Sequence, residues 1–322
     1  MSQWVSPVDQ KSLTEEGGTL RAGDHIFRVL KNNIPDLRFP KTLSEVDSQS
    51  LEFYENRVED YEKYLHLTFS TYGEDEINIR NQMIDLLDLN EGSKVLEIAC
   101  GTGRDTGLIA KRLGNEGSLH TTDISEGMVQ FAFRKLASKH HNVHFCVSNA
   151  LHIPSPDNYF DAVYSFGALG EFSDPAKFFS EVVRVSKIGA KVVVGDENLP
   201  IWQRDTLFGK ILSNYNRQFL SAVPFESLPI QARDVTCRWI IGGVFYLIDF
   251  KVGEGEIKAN FDFPIPGVRG GTHKTRYYGN LEGVRPETKE LAIKAREALG
   301  VSMHEWLDNV VEKEALKVLK KS

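Results

Sequence analysis

The stretch VLEIACGTG, residues 95–103, decides how the chain folds. An apolar, strand-like segment runs directly into a turn of small residues, and one carboxylate, Glu97, stands at the junction. Gly101 and Gly103 allow such a turn to pack tightly and to bring backbone N–H groups close to a ligand. In parallel α/β sheets, ligands bind where strands end in turns of this kind. The stretch therefore predicts an α/β fold with a ligand site at the end of this strand.

Strand-like and helix-like segments alternate from Lys94 onward. The apolar runs with strand character are KVLEI, SLHTTD, VHFCVS, FDAVYSF and KVVVGD, and amphipathic segments lie between them. This alternation is typical of a parallel sheet with helices on both faces. Two later β-rich runs, VTCRWII and VFYLIDFKV, are separated by little more than Gly242-Gly243. So short a connection predicts an antiparallel pair.

The character of the sequence changes along the chain and predicts four parts. Residues 1–45 contain short β-rich runs, residues 46–90 are charged with helical periodicity and are expected to form a helical cap or linker, and residues 91–255 carry the alternating pattern. Residues 256–322 begin as a Pro/Gly-rich loop and continue as two helical segments. The joint between those segments, residues 300–302, has the Gly and Ser typical of a helix end followed by an N-cap.

The composition predicts an ordinary globular protein. The chain has 322 residues and a formal net charge of −7 at pH 7. No apolar run approaches the roughly 20 residues of a membrane span, and the first residues lack the features of a signal peptide. The acidic balance gives no general electrostatic attraction for nucleic acid. Cys100, Cys146 and Cys237 lie far apart, without metal-ligand spacing. We therefore expect a reduced, cytoplasmic protein without a metal site.

One polar side chain stands at the end of each of three consecutive predicted strands. Glu97, Asp123 and Asn149 are evenly spaced along the chain. No GK[ST] follows the glycines, and a GxGxxG motif fails at positions 99 and 106, so neither phosphate-binding motif applies. A carboxylate can accept two hydrogen bonds from a ribose diol, an Asn-Ala pair suits an adenine edge, and a carboxylate beside the turn can hold an ammonium group. Together these predict a site for an adenosine that bears an amino acid.

These motifs resemble those of a known enzyme family. VLEIACGTGRDTGLIA resembles the glycine-rich motif of class I S-adenosylmethionine-dependent methyltransferases, and TTDISEGMV resembles their acidic ribose motif. VSNALHIPSPDNYFDAVYSFGALGEFSD and VVRVSKIGAKVVVGDEN resemble the ubiquinone/menaquinone C-methyltransferase branch, as does the GGV of residues 242–244. The resemblance implies a Rossmann-like class I fold, with a seven-stranded, mostly parallel sheet and an antiparallel last strand. It also implies S-adenosyl-L-methionine as cofactor and S-adenosyl-L-homocysteine as product.

The resemblance places a set of residues around the cofactor. These residues are Glu97, Ala99, Gly101, Thr102, Gly103, Asp123, Ile124, Met128, Asn149, Ala150, Leu151 and Ser165. Taken singly, each has an ordinary structural alternative: Asp123 can lie at a helix N-terminus, and Met128 can be a buried helix residue. Two departures from the family are Ala99, where glycine is usual, and the turn at residues 187–190, which lacks the usual proline.

A second resemblance concerns residues 1–45. The segment WVSPVDQKSL…GDHIFRVLKNNIPDLR resembles a small zinc-ribbon-like module that accompanies some methyltransferases. Where that module has Cys-Pro-x-Cys, this chain has Ser-Pro-Val-Asp at residues 6–9, so the metal ligands are missing. We therefore expect a module that lacks zinc. Its predicted small core consists of Trp4, Leu13, Ile26, Val29, Ile34 and Leu37.

The acceptor side of the site is less well defined by the sequence. The predicted general bases are His152 and Glu171, and the predicted acceptor-contacting residues are Phe166, Phe172, Arg276 and Tyr277. Asp196, at the end of the fifth strand, is a further candidate base. Each prediction has an alternative. His152 can be a surface histidine, the aromatic residues can belong to the core, and residues 270–279 can form a solvated basic loop.

Two kinds of function are compatible with the sequence. The first is methyl transfer to the carbon or oxygen of a small acceptor that is aromatic or quinone/prenyl-like. The second is an RNA-directed methyltransferase, or a regulatory protein that binds the cofactor without turnover. The negative net charge favours the small molecule over RNA. The C-terminal helices are expected to contribute to the acceptor site or to a homodimer.

Overall fold

The computed structural model describes residues 4–266, 271–278 and 284–320. The chain forms two compact units, Met1–Glu256 and Ile257–Ser322. In chain order the strands are β1 (Thr14–Glu16), β2 (Thr19–Ala22), β3 (His25–Val29), β4 (Pro35–Asp36), β5 (Lys94–Ile98), β6 (Ser118–Asp123), β7 (Val143–Val147), β8 (Phe160–Phe166), β9 (Ser186–Glu197), β10 (Ala232–Ile240) and β11 (Phe245–Val252). In chain order the helices are α1 (Glu45–Glu55), α2 (Val58–Tyr64), α3 (His66–Ser70), α4 (Glu76–Asp85), α5 (Arg104–Ala110), α6 (Glu126–Leu136), α7 (Pro175–Val185), α8 (Leu207–Tyr215), α9 (His273–Tyr278), α10 (Pro286–Leu299) and α11 (Met303–Leu319).

The first unit is built on a single large sheet. Across the described residues its strand order is β1-β2-β3-β4-β7-β6-β5-β8-β9-β11-β10. The strands β7, β6, β5, β8 and β9 pair in parallel, whereas β11 pairs antiparallel with both β9 and β10. Strand order reverses beside β5, as expected for a doubly wound sheet with its ligand site there. The predicted fold class, a mostly parallel sheet with an antiparallel last strand, is confirmed.

Apolar side chains on the two faces of the sheet form two cores. Val95 of β5 packs with residues of α4, α5 and α6 on one face. Leu96 and Ile98 of the same strand pack with residues of α7 on the other face. Because neighbouring residues of a strand point to opposite faces, the run VLEI supplies both cores and carries Glu97 on the α5 side.

The sheet is larger than predicted. The strands β1, β2, β3 and β4 form an antiparallel meander, and β4 pairs in parallel with β7 through Asp36 and Val147. The predicted count of seven strands was therefore too low, since eleven strands join one sheet in the described part of the chain. The strands of the predicted N-terminal module thus continue the central sheet.

The small core of this N-terminal region differs from the predicted one. Trp4, Leu20, Phe27 and Leu37 pack together, with Leu13 and Val29 partly buried against them. Ile26 was predicted to be buried but is 46% exposed. The reason is the alternation of side chains along β3: Phe27 points inward, so its neighbour Ile26 faces outward.

Two local predictions can be compared directly with the structure. β10 and β11 form the predicted antiparallel pair. In the second unit, α10 ends at Leu299 and α11 begins after Ser302, whose hydroxyl accepts a hydrogen bond from the N–H of Glu305 at 3.1 Å, so the predicted cap is present. The segment predicted as a loop at residues 270–279 instead contains α9, while its two end glycines lie outside the described residues.

Candidate functional site

The glycine-rich turn follows β5 directly. Ala99, Gly101 and Gly103 have φ angles of +57°, +52° and +77°, which lie in the left-handed region. A Cβ atom on Gly103 would come within 2.8 Å of Leu136 on α6, so this glycine permits close packing of the turn against that helix. The turn therefore needs small residues for its backbone conformation and for its packing.

Asp123 ends β6 and lies beside this turn. Its Oδ2 accepts a hydrogen bond from the N–H of Gly101, and its Oδ1 accepts one from the N–H of Ser125, both at 2.9 Å. Burial raises the pKa of Asp123 to about 6, against the opposing effect of these backbone N–H groups. The carboxylate is thus held rigidly at the second strand end.

Asn149 follows β7, the third strand in the predicted series. Its Oδ1 accepts a hydrogen bond from the N–H of Leu151 at 2.9 Å, which fixes the orientation of the side-chain amide. Asn149 is buried, and Ala150 beside it is also buried. The three strand ends are adjacent because β5, β6 and β7 are neighbours in the sheet.

A cleft lies at these strand ends. The predicted site residues that line it are Ala99, Gly101, Asp123, Ile124, Met128, Asn149, Ala150, Phe166, Glu171 and Phe172. The other lining residues are Asp47, Ser50, Tyr54, Tyr61, Ile98, Thr122, Ser148, Gly167 and Ala168. The structure thus brings residues predicted for the cofactor and residues predicted for the acceptor into one cleft.

Glu97 lies behind the lining of the cleft. Its Oε2 accepts hydrogen bonds from the hydroxyls of Thr106 at 2.6 Å and Thr121 at 2.8 Å. Burial, together with the charge of nearby Asp105, raises the pKa of Glu97 to about 8. The predicted contact of Glu97 with an ammonium group stays a prediction.

Thr102 and Gly103 also lie outside the lining. The hydroxyl of Thr102 donates to Oε2 of Glu62 at 2.6 Å, and Glu62 also forms an ion pair with Lys135 at 2.9 Å. Thr102 therefore anchors α2 to the glycine-rich turn. Because α2 contributes Tyr61 to the cleft, this contact has an indirect effect on the shape of the site.

Leu151 and Ser165 are buried beside the cleft. Leu151 packs in the core on the α7 side. The hydroxyl of Ser165 is buried and has no hydrogen-bond partner among the described residues. Their predicted contacts with the cofactor stay predictions.

The aromatic wall of the cleft is supported from behind by further rings. Phe166 packs against Phe245 with ring centroids 5.4 Å apart, and Phe172 packs against Phe178 at 4.9 Å. Glu171 lies between these two lining residues, in the short 3₁₀ helix Leu169–Glu171. Phe166 and Phe172 thus act both as packed hydrophobic residues and as lining of the cleft.

Two carboxylates lie beside Glu171, the buried Asp196 and the partly buried Glu197. Asp196, near the end of β9, accepts hydrogen bonds from the N–H groups of Gly170 and Glu197. Burial, together with neighbouring carboxylates that include Glu171, raises the pKa of Asp196 to about 6 and that of Glu197 to about 7. Asp196, the third candidate base, is thus occupied in holding the segment that carries Glu171.

His152 lies outside the lining of the cleft. Its ring packs edge-on against Phe39, with centroids 5.1 Å apart, and burial lowers its pKa. This position does not support the predicted role as a base, whereas Glu171 does line the cleft. Arg276 and Tyr277 belong to the second unit, where both are exposed, and their predicted contact with an acceptor stays a prediction.

The helical segment before β5, predicted as a cap or linker, contributes cleft residues that were not predicted individually. Asp47, Ser50 and Tyr54 of α1 line the cleft, together with Tyr61 of α2. The signal was present, because residues spaced by three and four positions share one face of a helix. Asp47 is fixed by the N–H and hydroxyl of Ser173, at 3.2 and 2.9 Å.

The cleft offers polar groups of the kind predicted for a nucleoside. Each oxygen of Asp123 accepts one backbone N–H, which leaves roughly half of a carboxylate's four acceptor positions for a diol. Asn149 uses its oxygen internally, so its amide N–H groups remain available to a base. Ile124, Met128 and Ala150 add apolar lining. Among the described residues, no cluster of three metal-ligating side chains occurs.

The sequence is similar to a family of methyltransferase domains and to individual methyltransferases. The profile of the family described as "Methyltransferase domain" matches residues 95–189. The chain is 30% identical over 160 residues to the ubiquinone/menaquinone biosynthesis C-methyltransferase UbiE of Francisella philomiragia, covering 49% of this chain and 59% of the relative. It is 32% identical over 131 residues to the demethylmenaquinone methyltransferase of Geobacillus stearothermophilus, covering 40% and 54%.

A solved structure is also similar. It is that of a SAM-dependent methyltransferase from Aquifex aeolicus, with a TM-score of 0.42 and 23% identity, over 55% of this chain and 94% of that one. The chain spans less than two thirds of the length of either curated relative. In the part of the chain that the structure describes, no helix combines the length and apolarity needed to cross a bilayer.

Proposed function

We propose that the chain is an S-adenosylmethionine-dependent methyltransferase, and the match of residues 95–189 to the methyltransferase domain family supports this proposal. Its proposed acceptor is a small, uncharged molecule, aromatic or quinone/prenyl-like, that is methylated on carbon or oxygen. The observation that carries this proposal is the single cleft shared by Asp123 and Asn149 with Phe166, Phe172 and Glu171.

The residues proposed to hold the cofactor follow from their chemistry. Asp123 accepts hydrogen bonds from the ribose hydroxyls, Asn149 binds the adenine edge, and the backbone at Gly101 allows close approach of the ligand. When bound, S-adenosylmethionine supplies a methyl group made electrophilic by its sulfonium centre. The contribution of the chain is to orient the acceptor and to exclude water.

The charge of the cleft supports an acceptor without negative charge. Asp47, Asp123 and Glu171 are carboxylates, and among the described lining residues none is Lys, Arg or His. An acceptor that carries phosphate would meet repulsion from these carboxylates without a compensating cation. An uncharged ring would instead pack against the aromatic lining.

Glu171 is the proposed general base. It is the lining carboxylate closest in sequence to Phe172 and Ala168, and it faces the same cleft as both. A carboxylate at this position can accept the proton of an acceptor hydroxyl as the methyl group is transferred. Tyr54 and Tyr61, whose rings lie 5.9 Å apart, cover the cleft from α1 and α2 and limit access of water.

The names of two relatives support this chemical class. One is named as a C-methyltransferase of ubiquinone and menaquinone biosynthesis, and the other as a demethylmenaquinone methyltransferase. The alternative, methylation of RNA, is disfavoured by the absence of basic residues from the described lining and by the net charge of −7. The expected cytoplasmic location and a homodimer through the C-terminal helices stay predictions.

The test is transfer of a labelled methyl group. The purified chain is incubated with methyl-labelled S-adenosylmethionine and either a lipid extract or total RNA, and the products are identified by mass spectrometry. The proposal expects label in a small lipophilic molecule and loss of that label with Asp123→Asn. Label in RNA would support the alternative acceptor, and binding of the cofactor without any labelled product would support a regulatory protein.

A further inference from the structure

The helix α8 carries an exposed apolar stripe. Leu207, Ile211 and Tyr215 are spaced by four residues, so they share one face of the helix. They are 75%, 60% and 86% exposed. Ile201 and Trp202, just before the helix, are 78% and 67% exposed. Large apolar side chains gathered in this way at a surface usually mark an interaction site.

Contacts on the other faces of α8 fix this orientation. A Cβ atom on Gly209 would collide with the backbone carbonyl of Gln203, so the helix lies directly against the preceding turn. Phe208 packs edge-on against Tyr72 with ring centroids 6.3 Å apart, and Leu212 packs against the larger core. Because these residues hold the helix, the stripe faces outward as part of the folded structure.

The charges around the stripe are positive. Residues 201–220 contain three basic residues and one acidic residue, in a chain whose net charge is −7. Lys210 and Arg217 are exposed, one beside the stripe and one just beyond the end of α8. Exposed Trp, Leu, Ile and Tyr side chains flanked by Lys and Arg are typical of helices that lie in the plane of a membrane surface.

We propose that this stripe docks on a lipid surface with anionic headgroups. At nine residues, α8 is about 14 Å long, which suits a helix lying in the interface and is far too short for a span. A second copy of the chain is the rival occupant, but lysine is depleted at protein interfaces, whereas it favours an anionic lipid surface. The charge pattern therefore favours lipid.

The position of α8 connects this surface to the cleft. The 3₁₀ helix that follows α8 carries Gln218, whose amide donates to Asp196 at 3.5 Å. Asp196 in turn holds the N–H of Gly170, the neighbour of the lining residue Glu171. Docking through α8 would thus place the lipid surface near the segment that carries Glu171.

Vesicle binding tests the proposal without cofactor or acceptor, so its result is independent of the proposed function. The full chain is sedimented with sucrose-loaded vesicles of phosphatidylcholine alone or mixed with phosphatidylglycerol. We expect binding to the mixed vesicles, at least tenfold weaker binding for Ile211→Glu, and intermediate binding for Lys210→Glu. The matched control is Ile188→Glu. Ile188 is similarly exposed (67%) and lies near the start of β9, far along that strand from Asp196, so this variant should bind like the unaltered chain.

Size-exclusion chromatography with light scattering tests whether a second copy of the chain occupies the stripe instead. Circular dichroism checks that each variant is folded. Failure of the unaltered chain to bind either vesicle would overturn the proposal. Equal loss of binding in the Ile211→Glu and Ile188→Glu variants would also overturn it, as would a dimer that Ile211→Glu converts to monomers without any vesicle binding.

Discussion

The backbone N–H of Gly101 donates a hydrogen bond to Oδ2 of Asp123 at 2.9 Å, and this bond joins the ends of two neighbouring strands. The other oxygen of Asp123 accepts the N–H of Ser125, at the start of α6. One carboxylate therefore holds the glycine-rich turn, the end of β6 and the N-terminus of α6 in a fixed arrangement. The same carboxylate lines the cleft, so its structural and ligand-binding roles cannot be separated by its removal alone.

The variant Asp123→Asn is expected to bind S-adenosylhomocysteine more weakly by about 1.5–3 kcal/mol, the range for a hydrogen bond to a charged group. This corresponds to roughly a 10- to 150-fold higher Kd. The amide oxygen can still accept one backbone N–H, so the variant should fold, unlike Asp123→Ala, which leaves the N–H groups of Gly101 and Ser125 without this acceptor. Isothermal titration calorimetry measures the affinity, and a thermal melt checks the fold.

The matched control for this measurement is Asp161→Asn. Asp161 also accepts a backbone N–H, from Lys94 at 2.9 Å, but it lies at the opposite end of the sheet. Its variant should bind S-adenosylhomocysteine with unchanged affinity. Equal affinities for Asp123→Asn and the unaltered chain would rule out the proposed ribose contact.

The two predicted bases can be distinguished by their variants. Glu171 lines the cleft, whereas His152 packs against Phe39 outside it. Loss of a general base typically lowers the rate by about 10²–10⁴-fold, so Glu171→Gln should lower kcat by that range with the affinity for S-adenosylhomocysteine unchanged. His152→Gln should keep kcat within about twofold, because neither reactant is expected to contact it.

Steady-state kinetics with the acceptor identified from the extract provides this comparison. A large fall in kcat for His152→Gln together with normal turnover for Glu171→Gln would reverse the assignment. A fall in both variants would instead indicate that the loop carrying His152 positions the cleft.

The strand ends could be predicted from the sequence because their signals are local. Asp123 and Asn149 each follow an apolar run, and the geometry of a parallel sheet brings neighbouring strand ends together. Whether a side chain faces the cleft could not be predicted from its local sequence. Thr102 lies within the glycine-rich motif, but it points to Glu62 on α2. That contact depends on where a separate helix packs, which the motif does not specify.

The cleft-lining residues of the helical cap were not predicted, for a related reason. The face of α1 with Asp47, Ser50 and Tyr54 has the right periodicity, but its charged surroundings resemble an ordinary solvated helix. The extent of the sheet was also underestimated, because β4 contains two residues and pairs with β7 through one residue pair. Such a short pairing depends on tertiary packing and leaves almost no pattern in the sequence.

The variant Ala99→Gly is expected to stabilise the protein. Ala99 has φ of +57°, a left-handed conformation that costs a residue with a Cβ about 1–2 kcal/mol. Glycine removes this strain but increases the entropy of the unfolded chain by about 0.4–1 kcal/mol, so the net gain should be about 0.5–1 kcal/mol. Urea denaturation measures the free energy of unfolding.

The control for this variant is Ala176→Gly, at an exposed position in α7. There the same substitution should lower the free energy of unfolding by about 0.5–1 kcal/mol, because glycine is unfavourable within a helix. Destabilisation by Ala99→Gly of the same size as the control would show that the left-handed conformation carries no strain.

The variant Glu97→Gln should change how stability depends on pH. Burial raises the pKa of Glu97 in the folded protein to about 8, from an ordinary value of 4.5. Between these values the folded chain holds a proton that the unfolded chain has lost. The free energy of unfolding therefore falls as pH rises through this range, by up to about 1.4 kcal/mol per pH unit from this group. Glutamine is uncharged at every pH, and its oxygen can still accept from the hydroxyls of Thr106 and Thr121.

Urea denaturation between pH 5 and pH 9 measures this difference. Asp123, Asp196 and Glu197 also have raised pKa values, of about 6, 6 and 7, so the unaltered chain and the variant share part of the decline. The contribution of Glu97 is the remaining difference in the free energy of unfolding between the unaltered chain and Glu97→Gln. This difference should be largest above pH 7. The exposed residue Glu116 provides the control, since Glu116→Gln should leave the pH dependence unchanged. If the curve for Glu97→Gln runs parallel to that of the unaltered chain over the whole range, then Glu97 is ionised in the folded protein at neutral pH, and its burial is compensated by a cation.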